Sequence, residues 1–266
     1  MGERRTLRVC RYGIDALLSV TLSARCAACS TRRSPGPICQ TCWSQARGLS
    51  GPVCRTCGDA LLSWRIISVA LEQCPRSRRH LGAVDAARAA GEYKGPLRRI
   101  LHAFKYEGRR GLAEPLAAMM DTAGAELLGD ADAVVPVPLH PWRRIRRGFN
   151  QAEELARRLD VPTLRALWRR RFTAPQTGLS AAARRRNVRH AFALSPCLSH
   201  RRRGRLLEGR IVVLIDDVRT TGATLHACAA TLKAAGALEV RALTVALATN
   251  STAAIARPTR TARSEH

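Results

Sequence analysis

The clearest regularity along the chain is Ile211-Val212-Val213-Leu214-Ile215, five consecutive apolar residues that are mostly β-branched. A run of that length without polar alternation is the pattern of a strand buried on both faces, as in a parallel sheet. Helical spacing follows over 224–235, where Gly236 stops it, and residues 240–247 predict a further strand. Upstream, Ala133-Val134-Val135-Pro136-Val137-Pro138 reads as a short buried strand ending at prolines. From Leu81 onward, Ala/Leu/Arg helical segments alternate with such β-branched runs. The stretch 83–90 leads into Tyr93-Lys94-Gly95-Pro96. A helix over 97–106 places Ile100, Leu101 and Phe104 on one face. Helix 114–128 tolerates Pro115 in its first turn, and helix 150–159 has Asn150 as its N-cap. Alternating strands and helices predict an α/β fold with a parallel sheet flanked by helices.

The ends of the chain follow other patterns. Residues 1–24 carry basic residues and then the apolar stretch 14–22, which mimics a secretory signal. Asp15 interrupts that stretch, and Arg25 directly before Cys26 spoils a lipoprotein cleavage site, so an amphipathic helix packing onto the body is expected. Residues 25–78 are rich in Cys, Pro, Gly and Ser and lack hydrophobic periodicity. The body is expected to span 79–248, and the aperiodic tail 249–266 to be disordered.

Composition changes this picture only in part. Apolar residues make up 46% of the 266, which argues against wholesale disorder, and no run of about 18 uncharged apolar residues predicts a spanning helix. The formal charge is +25, and all the cations but Lys94, Lys105 and Lys233 are Arg. Such a charge points to a polyanion partner or to a GC-rich coding bias, and Arg placement decides between them.

Seven of the ten Cys fall between residues 26 and 74. Cys26-x2-Cys29, Cys39-x2-Cys42 and Cys54-x2-Cys57 each have the spacing that turns two thiolates onto one metal. Gly58 follows the third pair, where a knuckle must turn tightly. A disulfide framework and redox-active pairs are the alternatives, but recurring pairs ahead of an α/β body favour structural zinc, with four thiolates leaving no open coordination position. A fourth pair would need a Cys at position 77. Cys74-Pro75-Arg76-Ser77 has Ser there, so a second site is degraded or completed by another residue such as His80.

The most specific motif is the strand running into Asp216-Asp217-Val218-Arg219-Thr220-Thr221-Gly222-Ala223-Thr224 and then a helix. At the carboxyl end of a parallel strand, the turn's N–H groups and the helix N-terminus make an anion site, to which Thr220, Thr221 and Thr224 add hydroxyls. Gly222 permits close backbone approach. Two acids beside a bare phosphate would repel it. They fit a ligand that also carries a ribose diol and a hydrated Mg²⁺, hence a sugar 5-phosphate.

These residues resemble the 5-phosphoribosyl 1-pyrophosphate (PRPP) motif of type I phosphoribosyltransferases, and more narrowly the ComF family, named for competence in DNA uptake. Val135-Pro136-Val137-Pro138-Leu139-His140, Arg147-Gly148-Phe149-Asn150-Gln151-Ala152, Gln176-Thr177-Gly178-Leu179-Ser180 with Arg184, Asn187, Val188 and Phe192, and the leading Cys pairs resemble its other signatures. The resemblance implies a type I phosphoribosyltransferase-like parallel sheet flanked by helices, with a small N-terminal zinc-ribbon module on Cys26, Cys29, Cys39, Cys42, Cys54 and Cys57. It implies PRPP on Asp216, Asp217, Thr220, Thr221, Gly222, Ala223 and Thr224, with Mg²⁺. Pyrophosphate would lie on the loop from Leu139 and His140, with charge from Arg143, Arg144 and Arg147, and Lys105 would reach an anion, the alternative for it being a solvated position on its helix face. Segment 173–192 would be a mobile hood from which Arg184 closes. Catalytic roles then fall to Asp216, Asp217 and Arg184. The acceptor has no signature, so a non-catalytic PRPP or nucleotide sensor that binds single-stranded DNA stands beside the transferase. Implied partners are single-stranded DNA and the helicase and uptake machinery. The implied location is the cytoplasm, with peripheral attachment at the inner membrane as a variant. Arg169, Arg170, Arg171 and the 201–205 cluster lie outside any motif, and Trp43, Trp64, Trp142 and Trp168 read as packing residues.

Overall fold

The apolar runs become the strands of one parallel sheet. The computed structural model describes residues 25–31, 36–46, 48–49, 53–59, 81–170, 191–196 and 206–248. In chain order the elements are α1 (Gln40–Ala46), β1 (Ala86–Glu92), α2 (Gly95–Tyr106), a 3-10 turn (Arg110–Leu112), α3 (Ala113–Leu128), β2 (Ala133–Pro136), α4 (Pro141–Arg147) and α5 (Gln151–Ala156). They continue with β3 (Leu167–Arg169), β4 (Phe192–Leu194), β5 (Ile211–Arg219), α6 (Ala223–Lys233) and β6 (Glu239–Leu247). The strand order is β1-β6-β5-β2, with every pair parallel, while β3 and β4 form a separate antiparallel pair.

Alternation along β5 explains why its run is apolar on both faces. Val213 and Ile215 enter one core with Leu97, Ile100, Phe104, Leu116 and Met120 from α2 and α3. Val212 and Leu214 enter the other with Leu225, Ala229 and Leu232 of α6. Burying a side chain such as Phe104 or Leu214, both fully inaccessible, stabilises the fold by roughly 1.5–3 kcal/mol. The strand extends beyond its apolar run, through both acids, because its ladder with β6 continues to Arg219 opposite Leu247. Asn150 caps α5 as expected, its Oδ1 accepting from the Ala152 N–H at 3.2 Å, although the helix ends earlier than the spacing predicts. Gly236 follows α6 with φ +97°.

The Ala-rich stretch before Tyr93, to which the sequence pattern assigns no element, is a strand. In β1, Ala86–Glu92, four of the seven residues are Ala, and space dictates that composition. A Cβ on Gly91 would lie 2.7 Å from Leu97 Cδ2 and 2.9 Å from Met119 Cε, so the helical layer sits directly against the backbone. On the other side the cysteine segment closes in. Thr56 O accepts from the Ala87 N–H at 2.7 Å, and Gly48 bridges Gly91. Gly58, at φ +66°, approaches so closely that a Cβ would lie 2.6 Å from Ala87 O, which explains the tight turn read from Cys57-Gly58.

Segments 1–24, 171–190, 197–205 and 249–266 lie outside the described residues, and with them the expected N-terminal helix, most of the hood, the 201–205 cluster and the tail. Among the described residues, no helix is long and apolar enough to cross a membrane.

Candidate functional site

Strands β2 and β5 are adjacent and parallel, so the loops leaving their carboxyl ends lie side by side. After β2 the chain enters α4 through 137–140; after β5 it enters α6 through 220–222. In an open parallel sheet this is where ligands bind. Gly222 takes the left-handed conformation (φ 72°) at the start of α6, and no side chain caps that helix. Thr221 Oγ1 is buried and has no hydrogen-bond partner among the described residues. Asp216, Arg219, Thr220, Gly222, Ala223 and Thr224 line a small cavity of about 40 Å³. The turn is thus a concave surface with donors directed by the backbone.

The two acids are engaged differently. Lys105 Nζ of α2 lies 2.8 Å from Asp217 Oδ1, and both side chains are nearly buried, at 13% and 12% exposure. Burial alone would lower the lysine's pKa; the charge and hydrogen bond of Asp217, with help from Asp216, overcome this and raise it. Asp216 accepts from the Asp217 N–H through Oδ1 at 2.9 Å. Burial, and then the neighbouring Asp217 charge, push the Asp216 carboxyl up to about 7, despite the opposing pull of Lys105 and Arg169. The lysine read as either an anion contact or a solvated helix residue is therefore part of the carboxylate site.

The β2 side contributes a preformed loop. His140 caps α4, its Nδ1 accepting from the Trp142 N–H at 3.3 Å, and Gly148 (φ 74°) ends that helix. Asn150 Nδ2 donates to Val137 O at 3.1 Å, tying α5 to the residue two before Leu139. Arg147 donates to Gln151 Oε1 at 3.1 Å and lies over the Tyr106 ring, 5.0 Å from its centroid. Its guanidinium is therefore held between α2 and α5. Arg184 lies outside the described residues, as do the side chains of Arg143 and Arg146.

Two arginines escaped the sequence reading. Arg169, placed there outside any motif, is 6% exposed in β3 and electrostatically linked to Asp216. Arg219 sits inside the motif but turns toward the cysteine segment, donating to Cys57 O and Asp59 Oδ1, both at 2.6 Å. Trp142, read as packing, is 55% exposed.

The cysteines separate into two groups. The sulfurs of Cys26, Cys29, Cys39 and Cys42 all lie within 4.8 Å of one another, with Cys29 and Cys39 at 3.9 Å. A zinc tetrahedron with Zn–S near 2.3 Å has sulfurs about 3.8 Å apart, so the four residues fit that ion. Cys26 Sγ also accepts from the N–H groups of Ala28 (3.4 Å) and Cys39 (3.3 Å). Burial opposes ionisation of Cys26, but backbone donors outweigh it and leave its pKa low. Cys42 is pushed up to about 12 by burial and by its neighbouring thiols. A divalent cation would invert that penalty by making every thiolate favourable. Arg99 and Arg109 fasten this knuckle to the body through Ala28 O (2.6 Å) and Arg25 O (3.0 Å). Cys54 and Cys57 are fully buried in the other core, on the α6 side of the sheet. Cys74, Ser77 and His80 lie outside the described residues.

Comparison with known proteins finds two matching regions. Residues 17–76 match the double zinc ribbon domain and 145–264 the phosphoribosyl transferase domain. Competence protein F of Haemophilus influenzae is 35% identical over 161 residues, covering 57% of this chain and 68% of that protein. DNA utilization protein YhgH of Escherichia coli K12 is 34% identical over 164 residues, 56% of this chain and 66% of that one. Competence protein ComFC of Bacillus subtilis is 31% identical over 140 residues, 52% and 54% respectively. Among solved structures, orotate phosphoribosyltransferase from Aeropyrum pernix covers 56% of this chain and 76% of its own, at 20% identity and a TM-score of 0.31. With its cysteine cluster leading into a parallel phosphoribosyltransferase-type sheet, the chain belongs to the competence protein F family.

Proposed function

We propose that the protein binds PRPP, or a related ribose 5-phosphate, and acts as a Mg²⁺-dependent phosphoribosyltransferase serving DNA uptake or DNA metabolism. The observation that carries this reading is the Thr221 hydroxyl, buried and unpartnered among the described residues, in the turn that follows Asp216 and Asp217. Its neighbours Thr220, Gly222, Ala223 and Thr224 line a small cavity together with Asp216. A phosphate on 220–224 would satisfy that hydroxyl and the uncapped start of α6. Asp216 and Asp217 would accept from the ribose 2′- and 3′-hydroxyls, with Lys105 holding the Asp217 carboxylate in place. Their carboxylates suit the water shell of Mg²⁺, which when bound neutralises the departing pyrophosphate. The Leu139–His140 loop would hold that pyrophosphate by backbone amides, with Arg147 nearby and Arg184 closing from the hood. The C1–O bond to pyrophosphate breaks, and a nucleophile forms the new bond to C1 from the opposite face. The protein contributes position and electrostatic complementarity. In this reading 25–78 form the ribbon, with Cys54 and Cys57 as half of a second knuckle, and 79–248 the transferase-like body. In this reading the location is cytoplasmic, with peripheral attachment at the inner membrane as a variant.

Titration calorimetry with PRPP, with and without Mg²⁺, tests the proposal. Binding should require Mg²⁺ for full affinity and should weaken at least tenfold in the Asp216→Ala/Asp217→Ala variant, which loses several charge-assisted hydrogen bonds. No binding by the native chain would refute it. Pyrophosphate release with candidate bases then separates an enzyme from a sensor.

One surface favours the second reading, a sensor that also engages single-stranded DNA. Tyr106 and Trp142 are 58% and 55% exposed, and Arg147 stacks on Tyr106. Exposed rings interleaved with Arg offer stacking positions for bases. Affinity for an oligothymidylate should fall steeply with salt and drop by about fivefold or more in Trp142→Ala. Affinity unchanged by that substitution would remove the support.

A further inference from the structure

Arg219 immediately precedes the 220–224 turn, yet its guanidinium points away from it. The side chain is 3% exposed and makes charge-assisted bonds to Cys57 O and Asp59 Oδ1 at 2.6 Å each, about 160 residues away in sequence. Asp59 is in turn part of a rigid loop. Its carbonyl accepts from the Cys54 N–H at 2.9 Å, Cys54 O accepts from the Gly58 N–H at 2.8 Å, and Ala87 donates to Thr56 O. The backbone of Arg219 is fixed on its other side, where its carbonyl accepts from the Ala248 N–H at 2.8 Å. The last strand residue before the turn is thus clamped between the end of β6 and the second cysteine knuckle.

An arginine so placed is no ligand for a phosphate, because Asp59 already balances its charge. We infer that Arg219 is a positioning residue through which the 54–59 knuckle of the ribbon sets the conformation of the phosphate turn. The consequence for binding rests on the PRPP reading above; the mechanical coupling does not. It gives the second knuckle a role at the candidate site even though its cysteines contribute no atom there. It also explains why a residue inside the binding motif is spent on a contact with a different module. Both acceptors are taken by Nη2, while the buried Nε has no partner among the described residues. With so little else to balance the buried charge, loss of Asp59 should be felt at the turn as strongly as loss of Arg219.

The test uses the full-length chain with Arg219→Met, Arg219→Lys and Asp59→Asn, and two readouts. Amide hydrogen exchange in a peptide spanning 216–228 should accelerate about tenfold or more in Arg219→Met and Asp59→Asn, while peptides from α3 keep native rates. Arg219→Lys should recover part of the protection. In the same variants the Kd for PRPP with Mg²⁺ should rise about tenfold, the scale of one charge-assisted bond. Native exchange at 216–228 in folded Arg219→Met and Asp59→Asn would overturn the inference, as would acceleration spread evenly over the chain. If the native protein binds no PRPP but the local acceleration appears, the coupling stands and the PRPP reading falls. Should Arg219→Met not fold, the Asp59→Asn result decides alone, since that change preserves shape while removing the charge and one acceptor oxygen.

Discussion

Replacing Cys42 by Ala is expected to strip the chain of zinc at its first knuckle pair and to unfold the ribbon. Four sulfurs within 4.8 Å of one another can all be thiolates only around a cation. Without one, Cys42 holds its proton to about pH 12, and the cluster is a set of buried thiols with little packing of their own. Zinc binding by such a set supplies on the order of 10–16 kcal/mol, far more than the apolar contacts of so short a segment. Metal analysis of the native chain should return one zinc, and the variant none. The loss should reach the body as well, because Cys26, Cys39 and Cys42 share a core with Ile100, Leu101 and Phe104 of α2. The thermal transition of the variant should therefore fall by well over 5 °C, the shift expected for a loss of a few kcal/mol. Zinc retained by Cys42→Ala would refute the four-cysteine site. Two zinc ions in the native chain would show that Cys54 and Cys57 are ligands too, despite Ser77.

Lys105→Met should destabilise the protein by about 3–5 kcal/mol at pH 8, the cost of leaving a buried carboxylate without its cation. The methionine keeps the volume, so charge is the quantity removed. The effect should shrink toward pH 5, and the sign follows from linkage. Asp216 has a folded pKa of about 7 against roughly 4 in an unfolded chain. A carboxyl raised in this way favours the folded state below about pH 4, and that advantage is lost progressively as pH rises through 7. Three units correspond to about 4 kcal/mol, reduced by the partial exposure of Asp216 to on the order of 2. Lys105 stays protonated across this range, so it opposes the penalty throughout; without it the pH slope between 5 and 8 becomes steeper. Urea midpoints for native, Lys105→Met and Asp216→Asn proteins at pH 5 and pH 8 check the prediction. Asp216→Asn should flatten the slope. Equal losses for Lys105→Met at both pH values would contradict it.

What could be read from the sequence tracks how local each cause is. The apolar run of β5 and the Asp/Thr/Gly order after it lie within a dozen residues, and strand, turn and helix form where expected. The first two cysteine pairs announce themselves by spacing. β1 did not, because its Ala and Gly residues are chosen by the closeness of Leu97, Met119 and Gly58 in space, and Ala alone favours a helix. Lys105 and Asp217 are 112 residues apart, so only the folded chain shows which of two readings the lysine takes. Arg169 and Arg219 were invisible as individuals in a chain with so many arginines. Burial, not number, distinguishes them.

The open flank of β1 has a consequence for the life of the chain before and after folding. An outermost strand exposes unpaired N–H and C=O groups that recruit any other extended chain, the usual route to edge-to-edge aggregation. Here the cysteine segment meets that flank at both ends, Thr56 taking the Ala87 N–H and Gly48 bridging Gly91. Apart from Arg88 and Glu92, the strand is also made of small residues with little side-chain bulk to repel a visitor. The metal-bound module therefore works as a guard on the sheet as well as a fold of its own. Metal starvation would then bare this edge and favour self-association, alongside the loss of stability in the body.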